Sequence, residues 1–263
     1  MLKTRSITFA FYKFSANLKL MTLVIDVGNT FIKLAVFNND ALLLKKVVSE
    51  NAVIHGVEDI KNRYPKLNTA IISSVGSLKN ETIHFLQSQF KLHELSSQVR
   101  LPFENLYETP HTLGVDRMAL VAASVKQFPK KNVLIIDAGS CITFDFINRD
   151  NEYLGGAISP GIQMRYNALH NFTAKLPLLK SEEPINLIGT STNQAIHSGV
   201  VNGVLNEIDG VINKYKLNYS DLTVILTGGD AKFLSKQLKS SIFALPDFLL
   251  EGLNYILQYN SNE

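Results

Sequence analysis

Short apolar runs and small polar turns follow one another in the same order at two places half a chain apart. Leu23-Val-Ile-Asp26-Val-Gly28-Asn29-Thr30 is answered by Leu134-Ile-Ile-Asp137-Ala-Gly139-Ser140, with the two aspartates 111 residues apart. Each copy opens with a β-branched apolar run, the mark of a buried strand. Each then reaches Asp-x-Gly and hydroxyl or amide residues, the mark of a tight turn. Each continues into a second strand, residues 31–37 and 141–147, closed by Asn38 and Asn148. A repeat of this length predicts two similar α/β halves, 21–125 and 126–263.

Helical spacing fills much of the rest. Residues 117–127 are rich in Met, Ala, Leu and Val. Over 192–216, Ile196, Val200, Val204, Ile208 and Val211 recur at three- and four-residue steps, which predicts one apolar helix face. Residues 222–226 read as another buried strand, running into Thr227-Gly228-Gly229-Asp230-Ala231. That glycine pair is either a plain turn or a place where backbone comes close to a ligand. The apolar segment 243–259 reads as a helix after Pro246, packing back on the second half.

Charge changes the picture at one end only. Of 26 basic residues, Lys3, Arg5, Lys13 and Lys19 lie in the first 20, which hold no acid. The remainder carries 22 basic against 23 acidic residues, so the overall +3 is poor evidence for nucleic-acid binding. The leader 1–20 has an apolar run cut short by Lys13. Two readings fit it: an organellar presequence, or an extension upstream of a start at Met21. The weak targeting signal favours the second. No stretch approaches the length of a membrane span. The lone Cys141 excludes an internal disulfide framework and suits a reducing, cytoplasmic setting. The six histidines form no close pair, so a structural zinc site is not expected.

An Asp-x-Gly-Asn-Thr turn presents backbone N–H groups, an amide and a hydroxyl, all suited to phosphate oxygens. Its carboxylate is suited to a divalent cation. A single copy would read as an ordinary hairpin with an Asx turn. Two copies suggest a cleft that clamps a nucleotide polyphosphate from both sides. Lys33 either reaches a phosphate or is an exposed strand lysine.

Further motifs follow in order: Tyr107, seven residues before Gly114-Val115-Asp116-Arg117; Gly155-Gly156-Ala-Ile-Ser-Pro160-Gly161; Thr192-Asn-Gln-Ala-Ile-His-Ser198-Gly199; and Gly228-Gly-Asp-Ala231. With Asp26-Val27-Gly28-Asn29-Thr30-Phe31-Ile32-Lys33 and Asp137-Ala-Gly-Ser140, this set resembles the type III pantothenate kinases of the actin, hexokinase and Hsp70-like ATPase superfamily. The resemblance implies two ribonuclease H-like, actin-like halves, each a mixed sheet with helices, and a ligand cleft between them. It implies ATP-dependent phosphorylation of pantothenate to 4′-phosphopantothenate, the first step toward coenzyme A. It makes residues 26–33 the first phosphate loop and brings Ser140 to ATP from the second. Asp137 matches a monovalent-cation position, for potassium or ammonium, and Asp26 would organise magnesium. Tyr107, Gly114, Val115, Asp116, Arg117 and Thr192 match pantothenate positions, with Asp116 the proton acceptor. A homodimer is implied too, because family dimers place the Thr192 position near the subunit interface. The family commonly has threonine where this chain has Ser140, which keeps the hydroxyl.

Plainer readings stand beside these. Asp116 precedes an apolar helix and would offset its dipole. Arg117 would be a surface charge, a partner of Asp116, or a steadying charge for substrate. Thr192 would be a helix N-cap. Asp145 and Asp230 are candidate helpers for the metal. Competing functions are a regulator like Bvg accessory factor and another small-molecule kinase; an actin-like polymer has no sequence feature in its favour. The intact Asp26, Asp116 and Asp137 and the near-neutral body oppose the regulator. The Tyr107 and Gly114–Arg117 block opposes the other kinases.

Overall fold

The computed structural model describes residues 21–28, 31–74 and 78–261. The leader 1–20, and Asn29 and Thr30 at the first turn, lie outside them. The first half builds strands β1 (Met21–Val27), β2 (Ile32–Asn38), β3 (Ala41–Val48), β4 (Thr69–Ser74) and β5 (Lys91–Glu94). Helices α1 (Val53–Arg63) and α2 (Asn80–Gln89) interrupt them. After the short β6 (Glu104–Asn105) comes α3 (Val115–Gln127). The second half builds β7 (Val133–Ala138), β8 (Cys141–Ile147), β9 (Glu152–Pro160), helices α4 (Ile162–Asn171), α5 (Thr192–His197) and α6 (Gly203–Asn218), then β10 (Thr223–Thr227), α7 (Ala231–Leu234), β11 (Phe243–Ala244) and α8 (Phe248–Ser261).

The repeat seen in sequence is a repeat in topology. One sheet runs β3-β2-β1-β4-β5 and the other β9-β8-β7-β10-β11, with β6 added beside β9. Directions match pair for pair. β1–β2, β2–β3, β7–β8 and β8–β9 are antiparallel. β1–β4, β4–β5, β7–β10 and β10–β11 are parallel. These are two mixed sheets of an actin-like fold.

Strand alternation decides which side chains meet which core. In β1, Leu23, Ile25 and Val27 face α1 and α2, while Val24 faces the other sheet. In β7, Leu134 and Ile136 face α4, α5 and α6, while Val133 and Ile135 face inward. Between the two inward faces lie α3 and α8, packed on each other, with Ala119, Leu120, Leu253 and Ile256 fully buried.

These helices are exchanged. α3 ends the first half but packs on β7 and β8 of the second sheet, as well as on β4. α8 ends the second half and packs on β1 and β4 of the first. The helix expected after Pro246 is present, but it leaves its own half. There Thr22 donates to Asn254 Oδ1 at 2.7 Å, and Asn254 Nδ2 donates to the Asn39 carbonyl at 2.8 Å, satisfying buried polar groups against the first sheet.

The long helix expected over 192–216 is also present, in three parts. A π-helical segment, Ser198–Asn202, joins α5 to α6. Its wider turns keep residues four apart on one side. Ile196, Val200, Val204, Ile208 and Ile212 are the buried row, and Val211 packs half-buried beside it. No helix among the described residues is long and apolar enough to cross a membrane.

Candidate active site

The two hairpin turns occupy equivalent places. In the first, the Gly28 N–H donates to the Phe31 carbonyl at 3.2 Å, and Asp26 pairs across the strands with Lys33. Lys33 Nζ donates to Asp26 Oδ2 at 2.9 Å. Val27 and Ile32 are buried among the outer core residues and paired in the strand ladder, while Phe31 is exposed. In the second, the Gly139 N–H donates to the Cys141 carbonyl at 2.9 Å and the Gly161 N–H to the Ser140 carbonyl at 3.2 Å. Ser140 stands exposed at the tip.

Alternation then aims the carboxylates. Asp26 shares the inward face of β1 with Val24, and Asp137 shares that of β7 with Ile135. Asp116 sits in the first turn of α3, the helix between the sheets. The three act on one another. Burial pushes the Asp26 carboxyl up, Lys33 pulls it back, and Asp116 adds to the push. Asp137 is pushed up to about 7, by burial first and Asp116 second, with Lys33 opposing and Asp26 and Asp145 adding. Three carboxylates against the ammonium of Lys33 leave surplus negative charge and hard oxygen donors, which fits a cation arriving with phosphates. Among the described residues no closed group of three His, Cys, Asp or Glu side chains forms a ready cage.

Beside Asp137 lies the glycine pair. Gly228 has φ +96°, and a Cβ there would fall 2.3 Å from the Ala138 carbonyl oxygen and 2.4 Å from Asp137 Oδ1. The close backbone approach is real, and it is to the second turn. Asp230 begins α7 and donates its N–H to the Ala138 carbonyl at 2.9 Å, bracing that turn. Burial raises its carboxyl.

Arg117 departs from two of its expected readings. It is buried and neither a surface charge nor a partner of the Asp116 carboxylate through its guanidinium. Nε donates to Asp145 Oδ1 at 2.8 Å, and Nη2 lies 2.8 Å from the same oxygen. Asp145 is thereby committed to a pair within the core. Tyr107 lies under the guanidinium, 5.5 Å from its ring centre, and stacks on Tyr153 at 6.1 Å. Gly114 is the residue from which α3 starts, and Val115 and Asp116 form its half-buried first turn. Thr192 is exposed at the start of α5, and the cap is its neighbour Ser191, whose Oγ accepts from Gln194 N–H at 3.4 Å. α5 packs on the face of the second sheet opposite α3, so one chain does not bring Thr192 together with Tyr107 and residues 114–117.

Sequence reasoning missed the Asp145–Tyr153 contact, in which Tyr153 Oη donates to Asp145 Oδ1 at 2.7 Å. Its one available signal was an aspartate inside an otherwise apolar strand, since such a charge is buried only with a partner.

A family model described as type III pantothenate kinase matches residues 22–214. The type III pantothenate kinase of Christiangramia forsetii is 51% identical over 92% of this chain and 100% of its own length. Among solved structures, a Campylobacter jejuni protein described as a Baf family transcriptional activator is similar at TM-score 0.61, with 20% identity over 92% of this chain and 100% of that one. A glucokinase from an Antarctic psychrotroph is similar at TM-score 0.52, with 12% identity over 91% and 99%. At those identities the likeness is one of fold.

Proposed function

The chain belongs to the type III pantothenate kinase family, and from that we infer that it phosphorylates pantothenate with ATP, the first step of coenzyme A biosynthesis. The observation that carries the reading is the convergence of Asp26, Asp116 and Asp137, one from each inward sheet face and one from the helix between.

In the reaction the hydroxyl oxygen of pantothenate attacks the γ-phosphorus. The bond from that phosphorus to the ADP oxygen breaks, and the hydroxyl proton passes to Asp116. The two turns, 26–33 and the one ending at Ser140, hold the phosphates with backbone N–H groups and the Ser140 hydroxyl, and Lys33 supplies positive charge. Asp26 would hold magnesium and Asp137 a potassium or ammonium ion; bound, these cations neutralise phosphate charge as it shifts toward ADP. Tyr107 and residues 114–117 form the pantothenate side.

Thr192 completes that side from a second copy. Its separation from Tyr107 within one chain supports a homodimer, as do the exposed Ile185, Leu187 and Ile188 leading up to it. The near-neutral body, apart from the basic leader, supports small-molecule partners over nucleic acid, and a cytoplasmic setting fits the substrate pair.

The test is pantothenate-dependent ADP release with magnesium, in potassium or ammonium and again in sodium alone. Asp116→Asn is expected to lower kcat by about 10²–10⁴-fold while leaving the protein folded. Folded, ATP-binding wild type that shows no pantothenate dependence would remove the reading.

A further inference from the structure

Oδ1 of Asp145 is the meeting point of a buried cluster, of which Asp145 and Tyr153 have had no part so far in the reaction. It accepts from Arg117 Nε at 2.8 Å and from Tyr153 Oη at 2.7 Å. The Asp145 side chain is fully buried, that of Arg117 is 6% exposed, and Tyr153 is fully buried. Burying an ion pair seldom stabilises a fold more than apolar packing of the same volume would. The satisfaction of the cluster is also incomplete. Arg117 Nη2 approaches Asp145 without making an aligned hydrogen bond. Stability alone is therefore a poor account of it.

What the cluster does fix is position. Arg117 is in the first turn of α3, next to Asp116, and its backbone N–H donates to Asp116 Oδ1 at 2.9 Å. The guanidinium ties that turn to β8 through Asp145. Tyr153 reaches the same oxygen from β9, and its ring, held edge-on by Phe103, stacks on Tyr107 with 24° between planes. One carboxylate oxygen thus sets both the helix start that carries the base and the aromatic ring beside it.

We propose that Asp145 and Tyr153 are positioning residues for phosphoryl transfer, holding Asp116 and Tyr107 in register with the second phosphate turn through Arg117. The proposal rests on the kinase reading above. Displacement of a reacting group by about 1 Å can cost about 10²-fold in rate, so a linkage through one rigid side chain is kinetically visible.

The experiment uses full-length Tyr153→Phe, which removes only the hydroxyl, and Asp145→Asn, each also made in the Asp116→Asn background. Rates are taken per ATP-binding site, so loss of folded protein does not count. Tyr153→Phe is expected to lower kcat by roughly tenfold and to raise the KM for pantothenate with that for ATP unchanged; Asp145→Asn is expected to lower kcat by up to about 10²-fold. In the Asp116→Asn background both effects on kcat should shrink below about twofold, because residues acting through one base are not additive. Equal losses in the two backgrounds, or unchanged kinetics in Tyr153→Phe, overturn the proposal. Should Asp145→Asn fail to fold, Tyr153→Phe decides alone. Wild type without pantothenate-dependent turnover defeats the kinase reading itself, an outcome read before any variant.

Discussion

Asp137 shows how far one side chain's state depends on the others. Its carboxyl is pushed up to about 7 from an ordinary 3.8, by burial and then by Asp116. The native chain thus binds a proton there that the unfolded chain gives up near pH 4. The associated stability is present below about pH 4 and is lost as pH rises through about 7. Asp26, raised by the same kind of burial, acts in the same direction. In thermal melts without added divalent ions, potassium or ammonium, wild type should lose stability between pH 5 and pH 7.5. Asp137→Asn, which keeps the shape without the charge, should lose less over that range and melt higher than wild type at pH 7.5. A variant that melts lower there would show the charge to be already compensated within the protein. At this scale the sequence singled out candidate residues but not their contacts. Asp26, Asp116 and Asp137 stood out because their motifs are local. The Arg117–Asp145 pair did not, because its partners are 28 positions apart and meet only when α3 crosses the second sheet.

Elements were legible where local patterning and burial agree. Both hairpins, the strand before Gly228 and the helix over 117–127 follow from runs of one period, though α3 starts two residues earlier, at Val115. Two features did not follow. The π segment between α5 and α6 leaves no mark in a periodicity counted at α-helical spacing. The destination of α8 is a tertiary matter, set by polar contacts with the first half from Asn254 and Gln258 that no local pattern shows. Close packing of α8 against α3 has its own requirement. A Cβ on Gly252 would fall 1.9 Å from the Ala119 carbonyl oxygen, so the two backbones touch there. Gly252→Ala should force the helices apart at about 1–3 kcal/mol, lowering Tm by roughly 3–10 °C in a chain of this size. A melting temperature within a degree of wild type would mean the contact is slack.

For the whole molecule, topology was the most legible property and assembly the least. The duplicated Asp-x-Gly units foretold two sheets of matching strand order, which is what β3-β2-β1-β4-β5 and β9-β8-β7-β10-β11 are. Assembly turns on a placement instead: α5, which begins at Thr192, packs on one face of the second sheet, and Tyr107 packs against the core on the other. If a second copy closes that gap, sedimentation should give twice the 29.3 kDa chain mass. Leu187→Asp, at a residue 78% exposed, should shift the mass toward monomer and raise the KM for pantothenate. A wild type that sediments as monomer at assay concentration would leave Thr192 without a role in the pocket.

The exchanged helices also bear on how the chain is made. The inner face of β1 is covered by α8, and Val27 and Phe248 are 221 positions apart. At roughly 5–20 residues per second, the ribosome takes about 10–45 seconds to travel that distance. Throughout that interval a nascent chain holds the inner face of its first sheet without its final cover. A message broken before Phe248 would yield a polypeptide with its strands and an open apolar face where α8 packs on β1 and β4.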